Sequence, residues 1–301
     1  MITGNAQIAG IMGWPIGHSR SPQLHGFWLT AHGIDGAYVP LAVAPEHLAT
    51  ALAALPALGV RGVNLTIPHK QTGLAVLDGL GDRAAIDPMA RRVGAVNTVT
   101  VLDDGRLWAT NTDTYGFIEN IRDCAPDWEA GAGPAVILGA GGAARAVAVA
   151  LVDAGVPRLV LANRTRDKAD RLAGELADGK TEITVVDWQD RATALAGAAL
   201  LVNTTSLGMV GQPPLEIGLG SLPGSAVVSD IVYAPLETDL LRAAAGRGNI
   251  SVDGLGMLLH QARPAFAAWF GVEPAVTPEL RAHVLADAPH VAQHDAPQDG
   301  T

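Results

Sequence analysis

Lysine is nearly absent from this chain. Of 20 Lys and Arg residues only Lys70, Lys168 and Lys180 are lysine, and the other 17 are arginine. So strong a bias draws attention to places where a compact, titratable ammonium is kept. Cysteine is rarer still: the single Cys124 excludes an internal disulfide and suits a reducing compartment. There is no run of basic residues, and the net charge is −10. That balance argues against nucleic acid or an acidic membrane surface as the main partner. No uninterrupted apolar stretch is long enough to span a bilayer. The first residues carry neither the basic region nor the apolar core of a secretion signal, so the expected compartment is the cytoplasm. An H-E-x-x-H pair and a cysteine cluster are both missing, and His290 and His294 stand without accompanying ligands, so no metal is expected. Residues 287–301 are polar and poor in apolar side chains, and are expected to be disordered.

What the chain does have is enough apolar material for two cores: 49% of its 301 residues are hydrophobic, which suggests about two domains. Residues 136–145 read VILGAGGAAR, an apolar strand running into a glycine turn and then an Ala-rich helix. The spacing fits G-x-G-x-x-A with Gly139, Gly141 and Ala144. In that pattern the first glycine allows a tight turn. The second lets a pyrophosphate approach the backbone, and the small third residue lets helix and sheet pack closely. Unpaired N–H groups at the helix start then face the anion. Residues 143–153 read as the helix, Gly155 as its C-cap, and 159–162 as the next strand, completing a β-α-β unit. Where such a unit usually carries an acid for the ribose 2′-hydroxyl of NAD, this chain has Asn163, Arg164 and Thr165, with Lys168 about one helical turn on. A neutral and then cationic strand end suits a 2′-phosphate, so the cofactor expected is NADP.

The rest of the chain alternates strands with helices, as a parallel or mixed sheet requires. Strands are expected at 8–12, 37–42, 60–67, 106–110, 183–186, 200–203 and 226–231, with another beginning at Gly94. Helices are expected at 23–32, 45–55, 71–77, 114–121, 237–246 and up to about Phe270. Polar residues cluster at strand ends, where open sheets bind ligands: Asn64, Thr66 and Lys70 beside Pro68, then Asn97, then Asn111-Thr112-Asp113. Ser19 and Ser21 could bind a carboxylate or hydroxyl ligand, but Ser21 before Pro22 is equally a helix N-cap, and so is Asp113 before 114–121. Residues 78–88 read as a polar connection, 122–134 as a linker, and 253–257 as a turn.

In order, the segments GHSRSPQLH, NLTIPHK, GAVNTV, NTD, GAGGAAR, NRT, NTTSLGM, DIVYAP and DGLGMLLHQA resemble the shikimate 5-dehydrogenase family from about Ile8 to Phe270. The resemblance implies a two-domain α/β fold: an N-terminal α/β substrate domain with a mixed sheet, a Rossmann-type NADP-binding domain, and C-terminal helices returning to the first. The boundaries it implies are 1–112 with 255–286 for the substrate domain and 113–254 for the NADP domain. It implies NADP-dependent reversible reduction of 3-dehydroshikimate to shikimate, with the site in the cleft. Lys70 and Asp113 become the catalytic pair, and Ser19 and Ser21 the carboxylate ligands. Thr66, Asn97, Asp113 and Gln261 become partners of the ring hydroxyls and carbonyl, with Asn64 and Tyr233 nearby. On the cofactor side Gly139, Ala140, Gly141, Gly142 and Ala143 hold the pyrophosphate, and residues from Asn163 to Lys168 hold the adenosine end. Ile231 and Gly254 line the nicotinamide side. The rivals are an NAD-linked quinate/shikimate dehydrogenase and a non-catalytic NADP-binding sensor on the same fold. A small-molecule substrate is the expected partner, and the assembly is expected to be a monomer or homodimer. Three places depart from the family pattern: Thr114 where glycine is common, Ala109-Thr110 before NTD, and a long 78–88 connection.

Overall fold

Runs of two to seven mostly apolar residues become strands, and in the computed structural model, which describes residues 2–177 and 179–286, they assemble into two sheets. The tail 287–301, expected to be disordered, lies outside the described residues. The first sheet contains β1 (Gln7–Gly13), β2 (Gly36–Ala42), β3 (Gly62–Leu65), β4 (Ala84–Ile86), β5 (Thr98–Val101) and β6 (Leu107–Thr110). Its order is β2-β1-β3-β5-β6-β4. β1 runs parallel to β2 and β3, and β5 antiparallel to β3 and β6, so the sheet is mixed as expected.

Both faces of this sheet are covered. Helices α1 (Ser21–Ala31), α9 (Gly254–Phe270) and α10 (Pro278–Ala286) lay Leu24, Trp28, Leu259, Phe266 and Leu280 against Ala9 and Ile11. On the other side α2 (Leu48–Ala54), α3 (His69–Asp78) and α4 (Pro88–Val93) bring Leu52, Leu77 and Ala90 onto Val63, Leu65 and Val99. Full burial of apolar side chains of this size stabilises a fold by about 1.5–3 kcal/mol each.

The second sheet is entirely parallel. It holds β7 (Ala135–Leu138), β8 (Arg158–Ala162), β9 (Glu182–Val186), β10 (Leu200–Asn203), β11 (Val227–Asp230) and β12 (Ser251–Val252) in the order β12-β11-β10-β7-β8-β9. This is the doubly wound arrangement, whose direction reverses between β7 and β10. α5 (Asp113–Cys124), α6 (Gly142–Ala154) and α7 (Arg166–Leu176) cover one face, and α8 (Asp239–Gly246) with residues 188–195 covers the other. Its four central strands are apolar and buried almost throughout, as strands covered on both faces must be.

Arg145, the last residue of the glycine motif, reaches out of this layer. Its Nε donates to Val93 O at 2.6 Å and its guanidinium pairs with Glu175. α5 and α9 approach closely because Gly116 and Gly256 face the partner helix: a Cβ on Gly116 would lie 2.6 Å from the Gln261 Cβ. Among the described residues no helix is long and apolar enough to cross a membrane.

Several local expectations change. The 78–88 connection is structured, with a 3-10 turn at Gly81–Arg83 and β4 pairing parallel to β6. α4 follows unforeseen, capped by Asp87 Oδ1 accepting from Met89 N at 2.6 Å and ended by Gly94 at φ 72°. Helix α5 runs to Cys124, into the expected linker. Residues 254–257, expected as a turn, are the first turn of α9. β12 was not foreseen either.

Candidate functional site

Lys70 lies in the first turn of α3, not on a strand end, because Pro68 stops the chain after β3 and His69 anchors the new helix. His69 is buried, with Nε2 2.7 Å from Val43 O. Lys70 Nζ then stands 2.6 Å from Asp113 Oδ2, the lysine side chain 25% exposed and the aspartate 7%. The other ammonium hydrogens have no partner among the described residues, so they remain available to a ligand. Asp113 is the first residue of α5 rather than its cap; no side chain caps that helix. Its N–H donates to Asn111 Oδ1 at 3.0 Å, and its second oxygen accepts from Asn97 Nδ2 at 2.9 Å.

Asn97 is the hub. Its amide nitrogen also faces Thr112 Oγ1 at 3.0 Å and Gln261 Oε1 at 3.2 Å, and its Oδ1 accepts from Thr112 N at 2.8 Å. Asn64 on β3 donates to Asn97 O and to Thr98 Oγ1, both at 3.0 Å. Lys70, Asn64, Asn97, Asp113 and Gln261 are therefore brought into one hydrogen-bonded network. Thr66 follows Asn64 by two residues, and its hydroxyl has no hydrogen-bond partner among the described residues.

Tyr38 extends the network toward the serines. Its hydroxyl donates to Asn64 Oδ1 at 2.6 Å and also faces the Ser21 side chain. Burial pushes this phenol well above its ordinary range. Its ring stacks on His25 at 3.9 Å, and burial lowers the His25 imidazole to about 3, so the ring is neutral. The capping reading of Ser21 does not hold. Ser21 is the first residue of α1, Arg20 is the N-cap, and no side-chain cap bond forms; instead Ser21 N donates to Ser19 Oγ at 3.3 Å. Tyr233, in the loop after β11, meets Arg20, whose Cζ lies 5.6 Å from the ring centre.

On the second sheet the glycine turn has the geometry its pattern demands. Gly139 adopts φ 112°, and a Cβ there would sit 2.6 Å from Thr204 Oγ1, so no larger residue fits. Gly141 is extended and precedes α6 without any side-chain cap. A Cβ on Gly141 or Gly142 would meet nothing within 4 Å, so the space over the turn is open and the first N–H groups of α6 border it, with Ala140 and Ala143 alongside. Asn163 Nδ2 donates to Thr165 O at 2.7 Å. Arg164 and Lys168 are exposed and pair with nothing among the described residues, whereas Arg166 between them is held by Asp187 at 2.7 Å and Asp170 at 3.5 Å. Gly254 starts α9 directly against the Ile231 carbonyl, where a side chain would collide.

Asp230, at the end of β11, ties this edge together. It accepts from Asn203 Nδ2 at 2.9 Å, Val232 N at 3.0 Å and Thr238 Oγ1 at 2.7 Å. Burial raises its carboxyl to about 6. Among the described residues no cluster could hold a metal ion.

Comparison with known proteins bears on the whole chain. A family model described as the shikimate dehydrogenase substrate binding domain matches residues 11–99. The shikimate / quinate 5-dehydrogenase model matches residues 129–209, and the shikimate 5'-dehydrogenase C-terminal domain matches 254–278. A protein of Rhodospirillum rubrum named shikimate dehydrogenase (NADP(+)) is 62% identical over 286 residues, 95% of this chain and 99% of its own. This chain belongs to the shikimate dehydrogenase family. Among solved structures, shikimate 5-dehydrogenase from Thermus thermophilus in complex with NADP(H) and shikimate is 36% identical with TM-score 0.80, covering 93% of this chain and 99% of its own. Quinate dehydrogenase from Corynebacterium glutamicum in complex with NAD is 33% identical with TM-score 0.84, covering 93% of this chain and 99% of its own.

For a shikimate dehydrogenase family site, the residues overlooked in the sequence are Tyr38, Thr98 and Asp230. Tyr38 reads as an ordinary core aromatic in the middle of β2, and only its partner on β3 shows that its hydroxyl matters. Thr112 was visible inside NTD, but its link to Asn97 joins residues 15 positions apart.

Proposed function

We propose that this chain is an NADP-dependent shikimate dehydrogenase that interconverts 3-dehydroshikimate and shikimate. The observation that carries the reading is the Lys70–Asp113 pair, with Asn97 bonded to Asp113 and both Asn64 and Gln261 bonded to Asn97. Arg164 and Lys168 support NADP: they are cations without acidic partners at the strand end where an NAD site would carry an acid. They weigh against the NAD-linked quinate reading, and the Lys–Asp pair weighs against a non-catalytic sensor.

When bound, the nicotinamide cofactor supplies or accepts the hydride, and the proton and the placement fall to the protein. As the ketone is reduced, charge grows on its oxygen, and Lys70 is the group that can neutralise it and give up a proton there. Arginine could not, because it does not release its proton in this range. Asp113 holds the ammonium in place and accepts from a neighbouring ring hydroxyl. Asn97, Thr66 and Gln261 offer further partners to the ring, with Asn64 and Tyr233 beside them, and Ser19 and Ser21 take the carboxylate. Gly139, Ala140, Gly141, Gly142 and Ala143 receive the pyrophosphate. Asn163, Arg164, Thr165 and Lys168 receive the 2′-phosphorylated adenosine, and Ile231 and Gly254 line the nicotinamide side.

We assign 1–112 with 255–286 to the substrate domain and 113–254 to the NADP domain, a division supported by the packing of α9 and α10 on the first sheet. The single cysteine supports a cytoplasmic location, and a monomer or homodimer is the assembly we assign. The test is turnover of shikimate with NADP⁺, followed by the absorbance of the reduced nicotinamide. Rapid reduction of NADP⁺ with shikimate is expected; no turnover with shikimate, or a preference for NAD⁺ with quinate, would overturn the reading.

A further inference from the structure

We propose that Arg20 is the cationic partner of the substrate carboxylate and sets the preference for an acid over a neutral analogue. The inference rests on the proposed function, which places the carboxylate at Ser19 and Ser21. Arg20 stands between those two serines and forms no ion pair among the described residues. Its Nη1 is buried without any hydrogen-bond partner. A guanidinium hydrogen removed from water and left unpaired is costly, and structures retain such a group where a ligand completes it.

The guanidinium also lies over the Tyr233 ring, with Cζ 5.6 Å from the ring centre. Tyr233 sits in the loop after β11, so Arg20 links the serine loop to a segment that leaves the second sheet. Charge bookkeeping points the same way. Within the network Lys70 and Asp113 cancel each other at 2.6 Å, and its other members are neutral side chains. Serine hydroxyls bring no charge. Arg20 leaves the site with one uncompensated positive charge, which matches a substrate carrying one carboxylate. Its planar fork suits that group better than an ammonium does.

The test compares shikimate with its neutral carboxamide at saturating NADP⁺, using the wild type, Arg20→Gln and Arg20→Lys. In the wild type the amide should show a KM roughly tenfold or more above that of the acid, the size expected for losing a charge-assisted hydrogen bond. Arg20→Gln should raise KM for shikimate by a similar factor and change the amide's KM by less than about twofold. The kcat for shikimate should stay within a few-fold. Arg20→Lys should recover part of the preference. Equal rises for acid and amide in Arg20→Gln would overturn the role, since that is what mere disruption of the loop produces. Should Arg20→Gln not fold, the wild type alone decides: equal KM values for acid and amide would overturn the proposal. Absence of shikimate turnover in the wild type would overturn the proposed function together with this role, whereas turnover without discrimination overturns the role of Arg20 alone.

Discussion

Lys70 Nζ and Asp113 Oδ2 meet at 2.6 Å across 43 positions of sequence. The contact joins the first turn of α3 to the first residue of α5, two helices that follow strands β3 and β6 of the mixed sheet. In the proposed mechanism Lys70 is the proton donor to a forming alkoxide. Lys70→Ala should lower kcat by about 10²–10⁴-fold, the usual size of a lost general acid. NADP⁺ affinity, measured separately by quenching of protein fluorescence, should not change, because the glycine turn and Arg164 belong to the other sheet. Near-normal kcat in Lys70→Ala would remove the lysine from the chemistry.

The sequence named Lys70 and Asp113, but it misplaced both. Lys70 reads as strand-end because the apolar run 60–67 flows toward it, yet Pro68 has no N–H to extend a ladder and the chain turns into α3 instead. Asp113 reads as a cap because a carboxylate before a helical pattern usually is one. Here Asn111 receives the Asp113 N–H, which frees the carboxylate for Lys70 and Asn97. Strands β7, β8 and β10 of the parallel sheet were legible because each contains a run of three or four apolar residues, whereas the two-residue β12 was not. β4 was not, because three half-buried residues inside a polar stretch carry no periodicity. The Tyr38–Asn64 bond was invisible for another reason: it depends on β2 and β3 flanking β1, and no local pattern encodes that neighbourhood.

Ser19, rather than Ser21, supplies the side-chain oxygen that supports the start of α1. Ser19 Oγ accepts the Ser21 N–H at 3.3 Å, while the Ser21 hydroxyl caps nothing. Ser19→Ala should therefore cost about 0.5–1.5 kcal/mol in thermal unfolding, the value of one hydrogen bond, and Ser21→Ala a similar amount through its lost contact with the Tyr38 hydroxyl. Both should raise KM for shikimate. An unchanged Tm in Ser19→Ala would show that its bond to the Ser21 N–H does not hold the start of α1.

Arg164 and Lys168 flank Arg166, and only Arg166 is neutralised by acids. The two unpaired cations should read the 2′-phosphate. Arg164→Ala should raise KM for NADP⁺ about tenfold or more, as loss of a charge-assisted hydrogen bond does, and leave KM for NAD⁺ nearly unchanged. Kinetics with both cofactors supply the check, and parallel losses would show that Arg164 acts on a part common to both.

Asp230 predicts a pH effect on stability. Its carboxyl rises from 3.8 to about 6 on folding because the group is buried. A raised folded pKa means that the native state binds the proton more tightly than the unfolded chain. The contribution is thus fully present below the unfolded value and is lost as pH rises through about 6. Asp230→Asn should remove a fall in stability of about 3 kcal/mol between acid pH and neutrality, at 1.36 kcal/mol per unit. Chemical denaturation of both proteins across that range measures it. An unchanged pH profile in the variant would assign the dependence to other groups.

Gly116 holds the two halves of the network at their working distance. It lies on α5 three residues after Asp113, and α9 opposite it carries Gln261, the partner of Asn97. A Cβ at Gly116 would come within 2.7 Å of both Gln261 N and Met257 O, backbone atoms that move only if the helix moves. Replacing glycine by alanine in a helix normally gains about 1 kcal/mol, whereas overfilling a packed interface costs about 1–3 kcal/mol. The steric term wins here, because two backbone atoms must give way together. Gly116→Ala should lower Tm and also lower kcat, since Asp113 and Gln261 ride on the helices that separate. Gly174→Ala is the matching control. That glycine is in α7, and its Cβ would meet nothing within 4 Å, so the propensity gain should appear unopposed as a higher Tm with unchanged kcat. A Gly116→Ala protein that behaved like the control would show that α5 and α9 can part without disturbing the pair they position.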